Sequence, residues 1–338
     1  MSNLEPHVGI LTRMELSLAA ESWPISVIFA LSRGSKAEAE VIVATIRDGE
    51  YEGRGECVPY KRYGETIESV KAQIESARSE VEKGLSRTEL QKILPPGAAR
   101  NALDCALWDL EAKQKGRSIW ELLNIKPEPK QTAFTISLHT PGKMAEEASV
   151  AAKEYSLLKI KLGAGGDEVR LKKIREAAPH ARLIVDVNEG WDENNIGGMI
   201  QACESVGVEL IEQPVSVEHS NILQNVRTPI LICADESAHT SGDIPKLVGY
   251  YSAVNIKLDK AGGLTEALAM AKKAKEAGHL IVIGCNVSTS LSMAPATVLA
   301  QYADYVDLDG PLLLERDREP SIEYREGMIM PTVSEIWG

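Results

Sequence analysis

Residues 157–162 read LLKIKL, and the same kind of short apolar strand returns as RLIVDVN (182–188), VELIEQP (208–214), PILICADES (229–237), AVNIKL (253–258) and LIVIGCN (280–286). Amphipathic stretches such as DEVRLKKIREAA (167–178) and TEALAMAKKAKEAG (265–278) separate them. Strand–helix units repeated in this way imply a parallel sheet. Six in succession favour a (β/α) barrel, a modified TIM barrel, over an open sheet. The class is therefore α/β, with the barrel over 126–310.

The preceding residues follow another pattern. Met14–Ala20, Ile25–Leu31 and Ala39–Arg47 run apolar or alternate, with β-branched residues and turn signals between them. Two helices follow, one over about Thr66–Val81 and one in PPGAARNALDCALWDLEAKQKG (95–116), where Pro-Gly precedes and Gly116 closes an apolar helical periodicity. KPEPK (126–130) reads as a linker. Residues 1–125 thus form an α+β capping domain, completed by about 311–338, where the barrel pattern is lost.

The chain has 338 residues, enough for a barrel and a smaller domain. Apolar residues make up 44% and charged residues 25%, a globular composition. The net charge of −12, without clustered Lys/Arg faces, argues against a nucleic-acid partner. Cys57, Cys105, Cys203, Cys233 and Cys285 are widely spaced and lack a C-x-x-C, as reduced thiols of a cytoplasmic protein would be. No signal peptide is evident in MSNLEPHVGI. No apolar run approaches the roughly 20 residues of a membrane helix.

Lys161, Asp186, Glu212, Asp235 and Lys257 each fall at the C-terminal end of an expected strand, at intervals of 22 to 26 residues. That interval is one strand–helix unit, so all five surround one barrel mouth, where such barrels carry their active sites. In LLKIKL, Lys159 and Lys161 share a face and point inward, while Leu158, Ile160 and Leu162 face the helices. Asn255 and Lys257 share a face by the same rule. Buried charges cost several kcal/mol unless paired. A purely structural salt-bridge network is the plain alternative.

Asp186, Glu212 and Asp235 offer only hard oxygen donors, which suit Mg²⁺, with Mn²⁺ as a second choice, and argue against Zn²⁺. A lysine crowded by another cation has its pKa lowered toward a value useful for proton abstraction, and Lys159 is that neighbour for Lys161. Lys257 lies roughly across the mouth. Two bases on opposite sides of a carbon epimerise it, with a metal on the adjacent carboxylate stabilising an enediolate.

The K-x-K of LLKIKLG, then DVNEGW, ELIEQP, CADES and VNIKLDKAGGLTEA, resemble in order and spacing the enolase superfamily, muconate-lactonizing-enzyme-like subgroup. GECVPYKRYGET, GAARNALDCALWDLEAK and VDLDGP are similar to the dipeptide epimerases, in particular those acting on L-Ala-D/L-Glu. The resemblance spans essentially the whole chain. It implies a Mg²⁺-dependent epimerase of murein-peptide recycling in the cytoplasm, with a small dipeptide substrate, no membrane partner, and association into a homo-oligomer by analogy.

By that resemblance Asp186, Glu212 and Asp235 bind the metal, and Lys161 and Lys257 are the acid/bases. Lys159 touches the substrate carboxylate, and Thr135 and Cys285 line the pocket. Asp307 and Asp309 hold the α-ammonium. Arg33, on a loop over the mouth, pairs with an acidic side chain. Asn286 departs from the apolar residue, often Met, expected there, which bears on side-chain specificity.

Other readings remain at this stage. A cycloisomerase, an o-succinylbenzoate synthase or an N-acylamino acid racemase would not need the D-L-D pair. A dipeptide epimerase with a hydrophobic or cationic second residue is another alternative. A Schiff-base aldolase would not need three strand-end acids, and a non-catalytic binder leaves the lysines unexplained.

Overall fold

The computed structural model describes residues 14–31 and 34–338, with the chain trace alone at 27–31 and 34–36. Arg33 lies outside the described residues. Strands β1 (Glu15–Leu31), β2 (Gly34–Asp48) and β3 (Tyr51–Cys57) form an antiparallel sheet. The two segments expected at 14–20 and 25–31 are one long strand, whose pairing with β2 shifts register between Pro24 and Phe29. Pro24 lacks an N–H to donate and so marks an irregularity rather than an end.

Helices α1 (Ile67–Glu82), α2 (Arg87–Ile93), α3 (Ala98–Lys115) and α4 (Ile119–Leu123) follow. Thr66 and Ser69 cap α1 reciprocally, and Gly116 closes α3 in the left-handed conformation that a helix end favours. Helix α3 lies directly on β3: a Cβ at Gly53 or Gly55 would sit 2.2 Å from Ala106 O or 2.1 Å from Ala102 O. The G-x-G of this strand therefore sets the packing distance of the capping unit. Ile42, Ala44, Ile46, Val70, Ile74, Leu103 and Leu110 fill its core.

After β4 (Lys130–Gln131), the described residues contain eight parallel strands: β5 (Phe134–Ile136), β6 (Leu157–Lys161), β7 (Arg182–Asp186), β8 (Val208–Glu212), β9 (Leu231–Ala234), β10 (Ala253–Ile256), β11 (Leu280–Gly284) and β12 (Tyr305–Asp307). They pair in chain order. Ala133 N donates to Val306 O at 2.8 Å and draws the last strand to the first. Outside lie α5 (Pro141–Ala151), α6 (Asp167–Ala177), α7 (Ile196–Ser205), α8 (Ile244–Leu247), α9 (Leu258–Ala261), α10 (Leu264–Glu276) and α11 (Ser290–Leu299).

The alternation read from LLKIKL holds. Leu158, Ile160 and Leu162 join the cluster under the helices. Leu157, Ile184, Leu210, Cys233, Ala253 and Val282 form a separate apolar plug inside the barrel. Beyond Pro311 the chain touches both units. Glu315 N donates to Pro24 O at 2.9 Å, while β13 (Tyr324–Arg325) and β14 (Met328–Ile329) build a small sheet with β4.

One buried carboxylate ties the units together. Asp259 Oδ1 accepts from Val58 N (3.0 Å) and Asn101 Nδ2 (2.8 Å) of the capping unit, and Oδ2 from Asn286 Nδ2 (2.9 Å) of the barrel. Burial raises its pKa from 3.8 to about 6. The folded state thus holds this proton more tightly than the unfolded chain. The stabilising contribution is present below about pH 4 and is lost as pH rises through about 6. Relative to wild type, Asp259→Asn should gain on the order of 3 kcal/mol between pH 4 and 6.5. Denaturant melts of both proteins across that range check it, and a pH-independent gap would refute it.

Candidate active site

The barrel mouth gathers the residues expected there. Lys159 and Lys161 rise from β6, Asp186 ends β7 and Glu212 ends β8, with Asp186 and Glu212 paired in register. Asp235 directly follows β9, Lys257 directly follows β10, and Asp307 ends β12. All seven side chains are largely shielded from solvent. Strands β7, β8 and β9 stand between Lys161 and Lys257, which places the two lysines on opposite sides of an eight-stranded ring.

Side chains from alternate strands of such a barrel meet in layers. The even-numbered strands β6, β8, β10 and β12 place Lys159, Glu212, Asn255 and Asp307 in one such layer. Lys159 Nζ lies 2.6 Å from Asp307 Oδ2 and 2.8 Å from Glu212 Oε2, and Asn255 Nδ2 donates to Glu212 Oε1 at 2.9 Å. Above it, Lys161 Nζ donates to Asp186 Oδ2 at 2.6 Å and Lys257 Nζ to Asp235 Oδ2 at 2.8 Å. Asp307 is thus the nearest carboxylate to Lys159 and does not stand further out.

The surrounding carboxylates set the proton affinity of Lys159 and Lys257. Burial opposes the charge of Lys159, yet Asp307, Glu212 and Asp186 outweigh it and hold the pKa well above the usual lysine range. Lys257 is raised in the same way, chiefly by Asp235. Asp186 is depressed by Lys161 and Lys159 against its burial. Glu212, with burial and Asp186 both against its charge, is pushed up to about 7.

Among the described residues, no three acidic, His or Cys side chains stand arranged around a common point for an ion; each carboxylate is turned to an ammonium instead. The donor set nonetheless suits a hard divalent cation. It is all oxygen, it comes from three successive strands, and Glu212 Oε2 accepts no hydrogen bond despite the ammonium beside it. A divalent charge there would offset the three carboxylates and lower the proton affinity of the lysines.

The mouth is closed by Thr135, Asn188, Cys285, Asn286, Asp309 and Gly310 from the barrel, and by Val58 and Tyr60 from the capping unit. Asp309 Oδ2 accepts from Thr135 N at 2.6 Å, and burial together with Asp307 raises Asp309 to about 7. Asp307 Oδ1 accepts no hydrogen bond. Cys285 is the one cysteine that is not fully buried; it lines the mouth, and burial beside Asp307 and Asp309 raises its thiol. Asn286 lines the mouth, but its amide is spent on Asp259.

Comparison with known proteins follows from this geometry. Residues 143–334 match the enolase C-terminal domain-like family, and residues 13–124 match the mandelate racemase / muconate lactonizing enzyme N-terminal domain. The chain belongs to the enolase superfamily. Within the superfamily it is 45% identical over 309 residues to an L-Ala-D/L-Glu epimerase from Escherichia coli K12, covering 91% of this chain and 96% of that protein. It is 45% identical over 301 residues to an N-acetyl-D-glutamate racemase from Pseudoalteromonas, covering 88% and 95%.

A solved enolase-family structure from Agrobacterium tumefaciens, with homology to dipeptide epimerases and holding sodium and L-Ala-L-Glu, superposes with a TM-score of 0.94. It is 47% identical and covers 96% of this chain and 100% of that one. A dipeptide epimerase from Enterococcus faecalis V583, solved with Mg and L-Leu-L-Tyr, gives 0.88 at 28% identity, covering 95% and 97%. This enolase-superfamily chain is an isomerase of the racemase and epimerase kind.

Sequence reading missed two residues of this site. Lys260, one turn beyond Lys257, is buried and reaches Asp235 Oδ1 at 2.5 Å and Asn255 O at 3.0 Å. It sits on the short helix α9, too short to carry a periodicity. Asn255 had a signal, its shared face with Lys257, but no role followed from it. Arg62 also joins the units, pairing with Glu189 at 2.9 Å.

Proposed function

We propose that this chain is a Mg²⁺-dependent dipeptide epimerase that inverts the α-carbon of the C-terminal residue, with L-Ala-D/L-Glu as leading substrate, in cytoplasmic murein-peptide recycling. The observation that carries the reading is the pair of shielded lysines, Lys161 and Lys257, facing each other across three carboxylates. A Mg²⁺ held by Asp186, Glu212 and Asp235 would supply positive charge where the substrate carboxylate gains negative charge. One lysine takes the α-proton from one face of the carbon, and the other delivers a proton to the opposite face. Lys159 offers its ammonium to the substrate carboxylate. Asp307 Oδ1 and Asp309 offer acceptors to an α-ammonium, which an amino-terminal residue has and an N-acyl group lacks. The five unpaired cysteines support a reducing compartment.

The substrate preference rests on Arg33. A bidentate arginine–carboxylate contact in a closed site contributes about 1.5–3 kcal/mol. Arg33→Ala should therefore lower kcat/KM for L-Ala-L-Glu by roughly ten- to a hundredfold and affect an Ala-hydrophobic dipeptide much less. An even loss across a dipeptide panel, or a wild type preferring apolar or basic second residues, removes the acidic preference while leaving epimerisation.

One observation favours a second reading, racemisation of an N-acylated glutamate. Asp309, pushed up to about 7, carries a proton much of the time near neutral pH and so tolerates an uncharged amide. Assaying L-Ala-L-Glu beside N-acetyl-L-Glu separates the two. The dipeptide reading expects the first to be preferred and Asp309→Asn to harm it selectively.

A further inference from the structure

Asn255 is fully buried inside the barrel, and only one side of its amide is used. Nδ2 donates to Glu212 Oε1 at 2.9 Å, while Oδ1 has no hydrogen-bond partner. An unpartnered buried acceptor is destabilising, so an apolar side chain would suit the interior better. Two further features preserve the amide. On the neighbouring strand β11, a Cβ at Gly284 would come within 2.6 Å of Asn255 Oδ1 and 2.7 Å of Nδ2, so only a glycine leaves the Asn255 side chain its place. Lys260 Nζ, on the helix that follows β10, bonds Asn255 O at 3.0 Å and fixes the backbone from which the amide projects.

We infer that Asn255, seated against the bare Cα of Gly284, is a positioning residue that holds Glu212 by one oxygen and leaves Oε2 without a hydrogen bond, 2.8 Å from Lys159 Nζ. The contact is made between alternate strands, β8 and β10, whose inward side chains share a layer, so its direction is set by the barrel and not by a mobile loop. Oε1 is occupied by a neutral donor, which orients the carboxylate without cancelling its charge. Partners that orient a ligating carboxylate typically govern metal affinity by ten- to a hundredfold. The inference rests on the reading of Asp186, Glu212 and Asp235 as metal ligands.

The test is Mg²⁺ titration calorimetry on the full chain, without substrate, on wild type, Asn255→Ala, Gly284→Ala and the double variant. Asn255→Ala should bind Mg²⁺ ten- to a hundredfold more weakly. Its epimerase activity should recover at high Mg²⁺, separating metal loading from the chemical step. Gly284→Ala should also weaken binding, because the added methyl displaces the amide without altering it. In the double variant the methyl meets only alanine, so affinity should fall no further than in Asn255→Ala alone, a non-additivity that independent structural damage would not produce. Unchanged Mg²⁺ affinity in Asn255→Ala, with only its melting temperature lowered, overturns the inference and leaves the functional reading standing. A wild type that binds no Mg²⁺ overturns both. Gly284→Ala reaches the same contact from the next strand should Asn255→Ala not fold, and normal Mg²⁺ binding in it would count against the inference.

Discussion

Lys257→Ala epimerises L-Ala-L-Glu about 10²- to 10⁴-fold more slowly than wild type, the loss expected when a positioned acid–base is removed. Lys161→Ala behaves alike. Neither change should unfold the protein. Without Lys257, Asp235 keeps Lys260 at 2.5 Å, and without Lys161, Asp186 keeps Lys159 at 3.1 Å. Because the lysines stand on opposite sides of the ring, each variant retains a base for one face only. In D₂O, each should exchange the α-proton of one stereoisomer while failing to interconvert the two, and the stereoisomer should differ between the variants. Proton NMR of both substrate epimers reads this directly. Wild-type epimerisation by Lys257→Ala would move the second base elsewhere.

Stripping divalent metal with EDTA lowers activity by about 10³-fold or more, since a metal's stabilisation of developing charge is several kcal/mol and each 1.36 kcal/mol is tenfold. Adding Mg²⁺ restores it, and Mn²⁺ does so in part. Full activity in metal-stripped protein would sink the ligand assignment. Asp235→Asn is a less clean probe than the strand-end pattern alone suggests. Asp235 is the counter-charge of both Lys257 and Lys260, so its neutralisation leaves two shielded cations around an amide. It should weaken Mg²⁺ binding and lower the melting temperature together. Glu212 lies 2.8 Å from Lys159 and 3.9 Å from Lys257; Lys159 keeps Asp307 and Asp186, and Lys257 keeps Asp235, so Glu212→Gln should cost metal affinity with less cost in stability.

Alternation in LLKIKL and the spacing of successive strand ends were enough to predict a barrel, its mouth, and the acids and lysines there. Two short-range regularities are responsible. A strand turns successive side chains to opposite faces, and a strand–helix unit has a nearly constant length. The end of α3 at Gly116 was legible for the same reason, since it is settled by residues within one turn.

What the sequence did not disclose are the partners across the lumen and between the units. Lys159 meets Asp307, 148 positions away, and Asn255 meets Glu212, 43 positions away, because β12 lies beside β5 and alternate strands share a layer. No periodicity encodes either distance. Asp259 lies two residues from Lys257, yet its partners are Val58, Asn101 and Asn286, brought together only when the capping unit settles on the barrel. The proton affinities of Lys159 and Lys257 were illegible on the same ground, since they depend on which charge is nearest and not on which charge is next in sequence. Local sequence chooses the face a side chain takes; strand register and ring closure choose the atom it meets there, and that second choice sets the charge, orientation and proton affinity of every group at the mouth.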